Sequence, residues 1–245
     1  MKRALFFLLF LLILCGQLSA DTKTISGTTN LDDTWMQSGF PNINRGTDDH
    51  LIASPNYKTL IRVKNVASEL GVGATNITAV CSMFCYYEDG DTVKIYRTLK
   101  PWEEGIQDGE DCVDSGATWN DWNCDEKEWT TEGCACANDD GVDNSADGGA
   151  CDDASRRDRK ATAECQVLVN ATGWWAFSIS PELAQGWYDG TMLENGLFLA
   201  GTTISTYFRS TEYGSNQPFF VFTYTSEEPG EGKPGKNIMS GGIIK

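Results

Sequence analysis

Short stretches of alternating apolar and polar residues, separated by clusters of Gly, Asn, Asp and Pro, make up most of the chain. Alternation with a period of two is typical of β-strands, and no stretch keeps apolar residues at helical spacing over several turns. The pattern predicts seven strands, at residues 59–63, 76–87, 92–99, 174–179, 196–202, 205–210 and 218–224. Many short strands separated by turn residues predict an all-β protein, built as a two-sheet antiparallel β-sandwich.

One short helix is predicted within the segment "SPELAQGWYDG". Ser180 is a favoured N-cap residue, and Pro181 suits the first helical turn because its fixed backbone angle is already helical. Gly190 suits the position just after the last turn. The helix is therefore expected to lie between these residues.

The first twenty residues are predicted to be a secretory signal peptide. A basic start precedes twelve apolar residues that end at Cys15, and a short polar segment then leads to Ala20. The apolar segment is shorter than the ~20 residues that a helix needs to cross a bilayer, so no membrane span is expected. The predicted organisation is a signal peptide at 1–20, a sandwich domain at 21–225 and a flexible Gly/Pro-rich tail at 226–245.

Acidic residues are concentrated in one part of the chain. Of a formal net charge of −16, residues 103–153 hold 17 acidic side chains against one basic side chain, Lys127. This charge predicts no nucleic-acid partner, because phosphate backbones are repelled at long range. Six cysteines lie between Cys112 and Cys165. The region at about 103–165 is therefore predicted to be a long acidic loop insertion braced by disulfides.

Removal of the signal peptide leaves eight cysteines. An even number in an exported chain predicts disulfides, although their pairing does not follow from the sequence. The alternating pattern places Cys81 and Cys85 on one face of their strand, together with Ile77, Ala79 and Met83. The predicted disulfide cysteines are Cys81, Cys85, Cys112, Cys124, Cys134, Cys136, Cys151 and Cys165.

The acidic insertion contains half of a calcium-binding pattern, in "DNSADGGACDD". Oxygen-bearing side chains on alternate residues precede Gly148, as in an EF-hand loop, but Ala154 occupies the place of the closing bidentate Glu. Two interpretations stay open: an irregular calcium site, or a solvated, disulfide-held flap without a ligand. The candidate calcium ligands are Asp143, Ser145, Asp147, the carbonyl of Gly149, Asp152 and Asp153.

No arrangement of residues typical of a catalytic site stands out. His50 is the only histidine, and the chain contains no Gly-x-Ser-x-Gly, His-Glu-x-x-His or phosphate-binding loop. Paired carboxylates are abundant, but 35 acidic residues make such pairs uninformative. The protein is therefore predicted not to be an enzyme.

Five weak motifs, in the same order, resemble the DNRLRE family of extracellular domains over about residues 31–225. They are "DDTWMQSGFPNINRG", "KTLIRV", "PWEEG" with "ATWNDW", "WYDGTMLENGLFLAG" and "FRSTEYGSNQPFFVFTY". The resemblance implies a jelly-roll sandwich that acts as a carbohydrate-binding module. It also places Asp33, Asn44, Arg62 and Glu212 in framework positions, where they are expected to form a satisfied polar network, or else a ligand site.

The function implied by this resemblance is non-catalytic binding of a polysaccharide or glycoconjugate at the cell surface or in the extracellular matrix. Exposed tryptophans suit such a role because aromatic rings stack on sugar rings. The candidates for glycan contact are Trp122, Trp129, Trp174 and Trp175. Because the chain is acidic, an anionic polysaccharide is expected to require a bridging calcium ion.

An alternative function is a structural or adhesive subunit of an extracellular assembly or filament. Other copies of the chain would then pair through a sheet edge or through the C-terminal tail. Asn76 and Asn170 begin N-glycosylation sequons, and both are expected at exposed positions next to strands.

Overall fold

The computed structural model describes residues 20–124, 127–129, 133–134, 158–160 and 162–226. Within them the chain forms fifteen strands and two helices. The strands are β1 Ala20–Ser26, β2 Leu31–Gln37, β3 Ile43–Asn44, β4 His50–Ala53, β5 Tyr57–Val63, β6 Ala74–Tyr87, β7 Asp91–Arg97, β8 Glu110–Asp111, β9 Asp121–Asn123, β10 Lys127–Glu128, β11 Cys165–Val169, β12 Gly173–Ile179, β13 Leu197–Gly201, β14 Thr206–Arg209 and β15 Phe219–Ser226. The helices are α1 Val66–Leu70 and α2 Pro181–Asp189.

Two antiparallel sheets pack face to face. The first sheet has the order β1-β15-β6-β14-β4, with β12 also paired to β6. The second has the order β11-β7-β13-β5-β2, and the short pairs β3–β8 and β9–β10 lie in the loops. The predicted all-β, two-sheet antiparallel sandwich is confirmed.

The main core lies between the two sheets and follows the alternation of the strands. Along β6, the five residues predicted to share a face are all buried: Ile77, Ala79, Cys81, Met83 and Cys85. From the second sheet, Ile61 of β5 and Leu199 of β13 enter the same core. Each such fully buried aliphatic side chain stabilises the fold by roughly 1.5–3 kcal/mol.

Helix α2 closes one side of the main core, and its caps are those that the sequence predicts. The Ser180 side chain accepts a hydrogen bond from the Leu183 amide at 3.3 Å, and Gly190 ends the helix in a left-handed conformation. Leu183 and Trp187 are buried against the core. Among the described residues, no helix has the length and apolar character needed to cross a membrane.

A second core lies on the outer face of the second sheet. Leu60, Tyr96 and Phe198 point outward from β5, β7 and β13, where an open sandwich would meet solvent. Trp102, just before the acidic insertion, and Trp129, within it, are buried against them. The described part of the insertion is therefore a packed layer on the sandwich.

One disulfide joins Cys112 to Cys124 within the insertion, as predicted for these two residues. Four other cysteines that were predicted to form disulfides are free thiols in the structure: Cys81, Cys85, Cys134 and Cys165. Cys81 and Cys85 lie four residues apart on one extended strand, about 13 Å, which is too far for a mutual bond. Burial raises the pKa of both thiols, that of Cys85 to about 11, so both stay protonated. Cys136 and Cys151 lie outside the described residues.

The buried carboxylate of Asp91 holds the start of β7 against the loop that follows β13. It accepts hydrogen bonds from the amide and hydroxyl of Thr202, from the amide and hydroxyl of Thr203, and from the Thr92 amide, at 2.7–3.2 Å. Burial acts to raise the pKa of Asp91, but these hydrogen bonds together lower it. The carboxylate form is therefore the stabilising one.

We expect Asp91→Asn to lower the free energy of unfolding by about 2 kcal/mol at pH 7. The substitution replaces one carboxyl oxygen by an NH₂ group, which would face the amide and hydroxyl donors of Thr202 and Thr203 without an acceptor. Because the pKa of Asp91 is lower in the folded state than in the unfolded state, its ionised form stabilises the fold at pH values above the unfolded pKa of about 4. This contribution is lost as the pH falls through the folded-state pKa. Urea denaturation at pH 7 and pH 3 should show the difference from wild type shrinking in acid. Asp89→Asn, at an exposed site, is the matched control, and an equal loss there would contradict the prediction.

Candidate functional site

An aromatic platform lies on the outer face of the first sheet. Alternation along β12 directs Trp175 toward the core and Trp174 outward, where 47 % of Trp174 remains exposed. Its indole ring lies 5.4 Å from the ring of Phe84 on β6 and 5.0 Å from that of Phe219 on β15. The two phenylalanine rings support the indole laterally, so its exposed face is held in place.

Polar side chains surround the platform on one side. Trp174 and Phe219 line a depression of about 460 Å³ together with Thr24, Ser26, Asn216 and Gln217. β1 pairs with β15 so that Ser26 lies opposite Phe219, which brings the hydroxyl groups beside the aromatic rings. The depression thus combines an apolar floor with uncharged hydrogen-bonding groups.

The other three candidate tryptophans occupy different environments. Trp175 packs partly against the main core and donates a hydrogen bond to the Ala171 carbonyl at 2.9 Å. Trp122 packs partly against the second core, with Lys127 lying 4.8 Å from its ring centroid. The expectation that Trp129 is exposed is wrong: it is 5 % exposed, because the insertion folds onto the sheet. Trp174 is the member of the set with a broadly accessible ring.

Three carboxyl groups from distant parts of the chain converge at one end of the sandwich. Asp33 lies on β2, Glu104 in the loop after β7, and Glu212 in the loop between β14 and β15. One carboxyl oxygen from each of the three residues lies within 4.8 Å of the other two. Asp33 is 1 % exposed, whereas Glu104 and Glu212 are half-buried. We refer to these three residues as the acidic triad.

The hydrogen bonds of the acidic triad leave one oxygen unpaired. The Thr211 amide donates to Oδ2 of Asp33 at 2.9 Å, and the Asp33 amide donates to Oε1 of Glu104 at 2.7 Å. The Thr211 hydroxyl lies 2.9 Å from Glu212. Within the described residues, Oδ1 of Asp33 is buried and has no hydrogen-bond partner.

The triad is electrostatically unfavourable without a counter-charge. Burial, followed by the neighbouring charges of Glu212 and Glu104, raises the pKa of Asp33 well above its usual range. Burial and the nearby carboxylates raise the pKa of Glu104 to about 8, and burial also raises the pKa of Glu212. Three ionised carboxylates at this spacing require protons or a cation.

Of the four residues predicted to form one polar network, Asp33 and Glu212 meet in the acidic triad, whereas Asn44 and Arg62 bond to neighbouring backbone groups and to Asp32. Nδ2 of Asn44 donates to the Glu104 carbonyl at 2.8 Å, and Arg62 donates to the Trp102 carbonyl at 2.6 Å. The unpaired oxygen of Asp33 takes no part in these bonds. Sequence reasoning missed Glu104, although the "PWEEG" motif contains it.

A second group of acidic residues surrounds the single histidine. Nδ1 of His50 lies 2.6 Å from Asp48, whose other oxygen accepts a hydrogen bond from the Trp35 indole at 3.1 Å. The hydrogen bond to Asp48 is the main cause of a raised pKa of His50, and Arg45 lies 3.6 Å from the same carboxylate. In contrast to the acidic triad, this group contains basic partners for its carboxylate, although Nε of Arg45 has no hydrogen-bond partner within the described residues.

The remaining candidate sites are either outside the described residues or exposed. The proposed calcium ligands of the insertion lie outside them: Asp143, Ser145, Asp147, Gly149, Asp152 and Asp153. Asn76 and Asn170 are both exposed, so an enzyme has access to either one. Their glycosylation stays a prediction.

No protein-family model and no curated protein matches the chain. The resemblance to DNRLRE domains therefore stays a prediction from the five motifs.

Proposed function

We propose that this protein is a secreted, non-catalytic carbohydrate-binding module that acts at the cell surface or in the extracellular matrix. The single observation that carries the proposal is the exposed, laterally supported ring of Trp174 beside a polar depression. The predicted signal peptide and the resemblance to DNRLRE domains support export and glycan binding.

The chemistry of the platform suits a sugar ring. One face of a pyranose carries C–H groups, which pack on an aromatic face, while its hydroxyls need hydrogen-bond partners at the edge. Trp174 provides the face, and Asn216 and Gln217 provide amide donors and acceptors beside it. Because β12, β6 and β15 hold the three aromatic rings, little side-chain entropy is lost on binding.

The charge of the molecule favours a neutral glycan at this site. The six residues that line the depression carry no formal charge, while the chain as a whole carries −16. An anionic polysaccharide would be repelled by the overall field and would find no basic side chain in the depression. We therefore propose a neutral polysaccharide or the neutral part of a glycoconjugate as the ligand.

We expect Trp174→Ala to weaken glycan binding at least tenfold, about 1.4 kcal/mol, because the stacking surface is lost. Affinity electrophoresis in gels containing β-glucan, xylan or galactomannan, with alginate as an anionic comparison, measures the retardation of wild type and variant. Since about half of the side chain is exposed, the thermal midpoint of the variant should fall by only a few degrees, through loss of the contacts with Phe84 and Phe219.

Tyr87→Ala is the matched control for this experiment. Tyr87 is an exposed aromatic residue on β6, 51 % exposed, but it does not line the depression. Its removal should leave the retardation unchanged. Absence of retardation of the wild type in every polysaccharide, or equal losses in both variants, would refute the proposal.

A further inference from the structure

With all three carboxyl groups ionised, hydrogen bonding within the described chain leaves one buried oxygen of the acidic triad without a donor. Asp33 is almost fully buried, its Oδ1 has no partner among the described residues, and one carboxyl oxygen of each triad residue lies within 4.8 Å of the other two. A buried, unpaired carboxyl oxygen is strongly unfavourable unless a ligand completes it. The unpaired oxygen and the convergence of three carboxyl groups are two separate observations that indicate the same cation site.

The basic residues nearby do not form ion pairs with the carboxyl groups of the acidic triad. Arg62 and Lys64 both bind Asp32, the neighbour of Asp33 in sequence, at 2.6 and 2.5 Å. Asp32 therefore uses the closest basic side chains. Lys64 acts to lower the pKa of Glu104, but the acidic triad still holds up to three negative charges.

The geometry points to calcium as the missing group: we propose that Asp33, Glu104 and Glu212 bind one Ca²⁺ ion. Calcium takes six to eight oxygen ligands at about 2.3–2.6 Å, so that ligand atoms around one ion lie up to about 5 Å apart. One oxygen from each triad residue falls within 4.8 Å of the other two. The set contains neither sulfur nor imidazole, the ligands that favour zinc.

The site is open to the ion from one side. Glu104 and Glu212 are half-buried, so solvent reaches their carboxyl groups, while Asp33 forms the buried end. Oε1 of Glu104 is oriented by the Asp33 amide, and Oδ2 of Asp33 by the Thr211 amide. Water would complete the coordination, as is usual for calcium sites with few protein ligands.

Calcium at this site would join three segments that are far apart in sequence. Asp33 belongs to the edge strand β2, Glu104 to the loop that starts the insertion, and Glu212 to the loop that also carries Asn216 and Gln217. The ion would therefore order the start of the insertion and the loop beside the aromatic platform. The proposal itself does not require glycan binding.

The test is calorimetric titration of CaCl₂ into protein that has been treated with EGTA and dialysed, together with thermal melts in calcium and in EGTA. We expect saturable binding and, at a calcium concentration about 100 times the Kd, a rise in the thermal midpoint of roughly 5–10 °C. Asp33→Asn and Glu104→Gln should weaken binding at least tenfold. Glu212→Gln, at a half-buried position, serves if either variant fails to fold.

Two controls isolate the site. The double variant Asp143→Asn/Asp147→Asn removes the half-motif of the insertion and should still bind calcium at the acidic triad. Glu103→Gln changes an exposed carboxylate beside the triad and should leave calcium binding close to that of wild type. If the buried carboxyls hold protons instead, the wild type will melt at the same temperature in calcium and in EGTA. That result would overturn the proposal, as would a calcium response that survives Asp33→Asn but disappears in the double variant.

Discussion

Replacement of Asn44 by alanine is expected to lower the free energy of unfolding by about 4 kcal/mol, because the side chain satisfies four backbone groups that are buried or partly buried. Its Nδ2 donates to the carbonyls of Glu104 and Ala117 at 2.8 and 3.0 Å, and its Oδ1 accepts from the amides of Gly46 and Gln107 at 3.2 Å. Asn44 is 0 % exposed, so water does not replace these bonds without local unfolding.

The backbone around Asn44 is shaped to fit its side chain. Gly105 and Gly116 both have positive φ angles, of 83° and 133°, and a Cβ atom at either position would overlap the Asn44 amide. Alanine at position 44 would leave a cavity there as well as the unpaired groups. The loop that carries Glu104 should loosen with it, so the proposed calcium affinity should fall too.

Urea denaturation, with Asn42→Ala as the matched control, measures this effect. Asn42 is exposed, and its side chain accepts a hydrogen bond from Asn120, so its replacement should change stability by no more than about 0.5 kcal/mol. If Asn44→Ala unfolds at the same urea concentration as Asn42→Ala, Asn44 does not hold these loops together.

Local signals in the sequence were sufficient for helix α2 and for most strands of the sandwich, but they did not predict helix α1. The ends of helix α2 were predictable from Ser180 and Gly190, because capping depends on the cap residue and its immediate neighbours and not on distant contacts. The seven predicted strands correspond to seven observed ones with end shifts of one or two residues. The alternation alone shows which residues of β6 face the core.

The second core was not predicted, although the sequence contains a signal for it. In β5 and β13, apolar residues occupy successive positions, as in Leu60–Ile61 and Phe198–Leu199. Such strands are buried on both faces, whereas a strand with one solvated face alternates strictly. Because neighbouring residues of a strand point to opposite faces, burial of both residues of each pair requires a layer outside the second sheet. The tryptophans of the insertion provide that layer, which explains why Trp129 is buried.

The acidic triad was only partly predictable, because it depends on long-range register. Asp33 and Glu212 were assigned to one network through the family resemblance, but no local pattern links Glu104 to them. The sheet order places β2 at an edge, where the loop after β7 reaches it. Only the folded arrangement shows that the three carboxyl groups face one another and that one oxygen stays unpaired.

Replacement of Trp102 by alanine is expected to have the largest effect, about 5 kcal/mol of unfolding free energy, since it empties the centre of the second core. The indole is 0 % exposed, its Nε1 donates to the Asn195 carbonyl at 2.6 Å, and the Arg62 guanidinium lies 4.8 Å from the ring centroid. Alanine would leave a large cavity and an unpaired buried carbonyl. Chemical denaturation followed by circular dichroism measures the loss.

The comparison with Trp174→Ala separates the two roles that tryptophan plays in this protein. Trp102→Ala should unfold at a much lower denaturant concentration, because the second core would lose its largest fully buried side chain. Trp174→Ala should lose glycan binding and much less stability, because about half of its surface faces solvent. If Trp102→Ala were as stable as Trp174→Ala, the insertion would contribute little to the folded state, and the second core would have to be regarded as a surface contact.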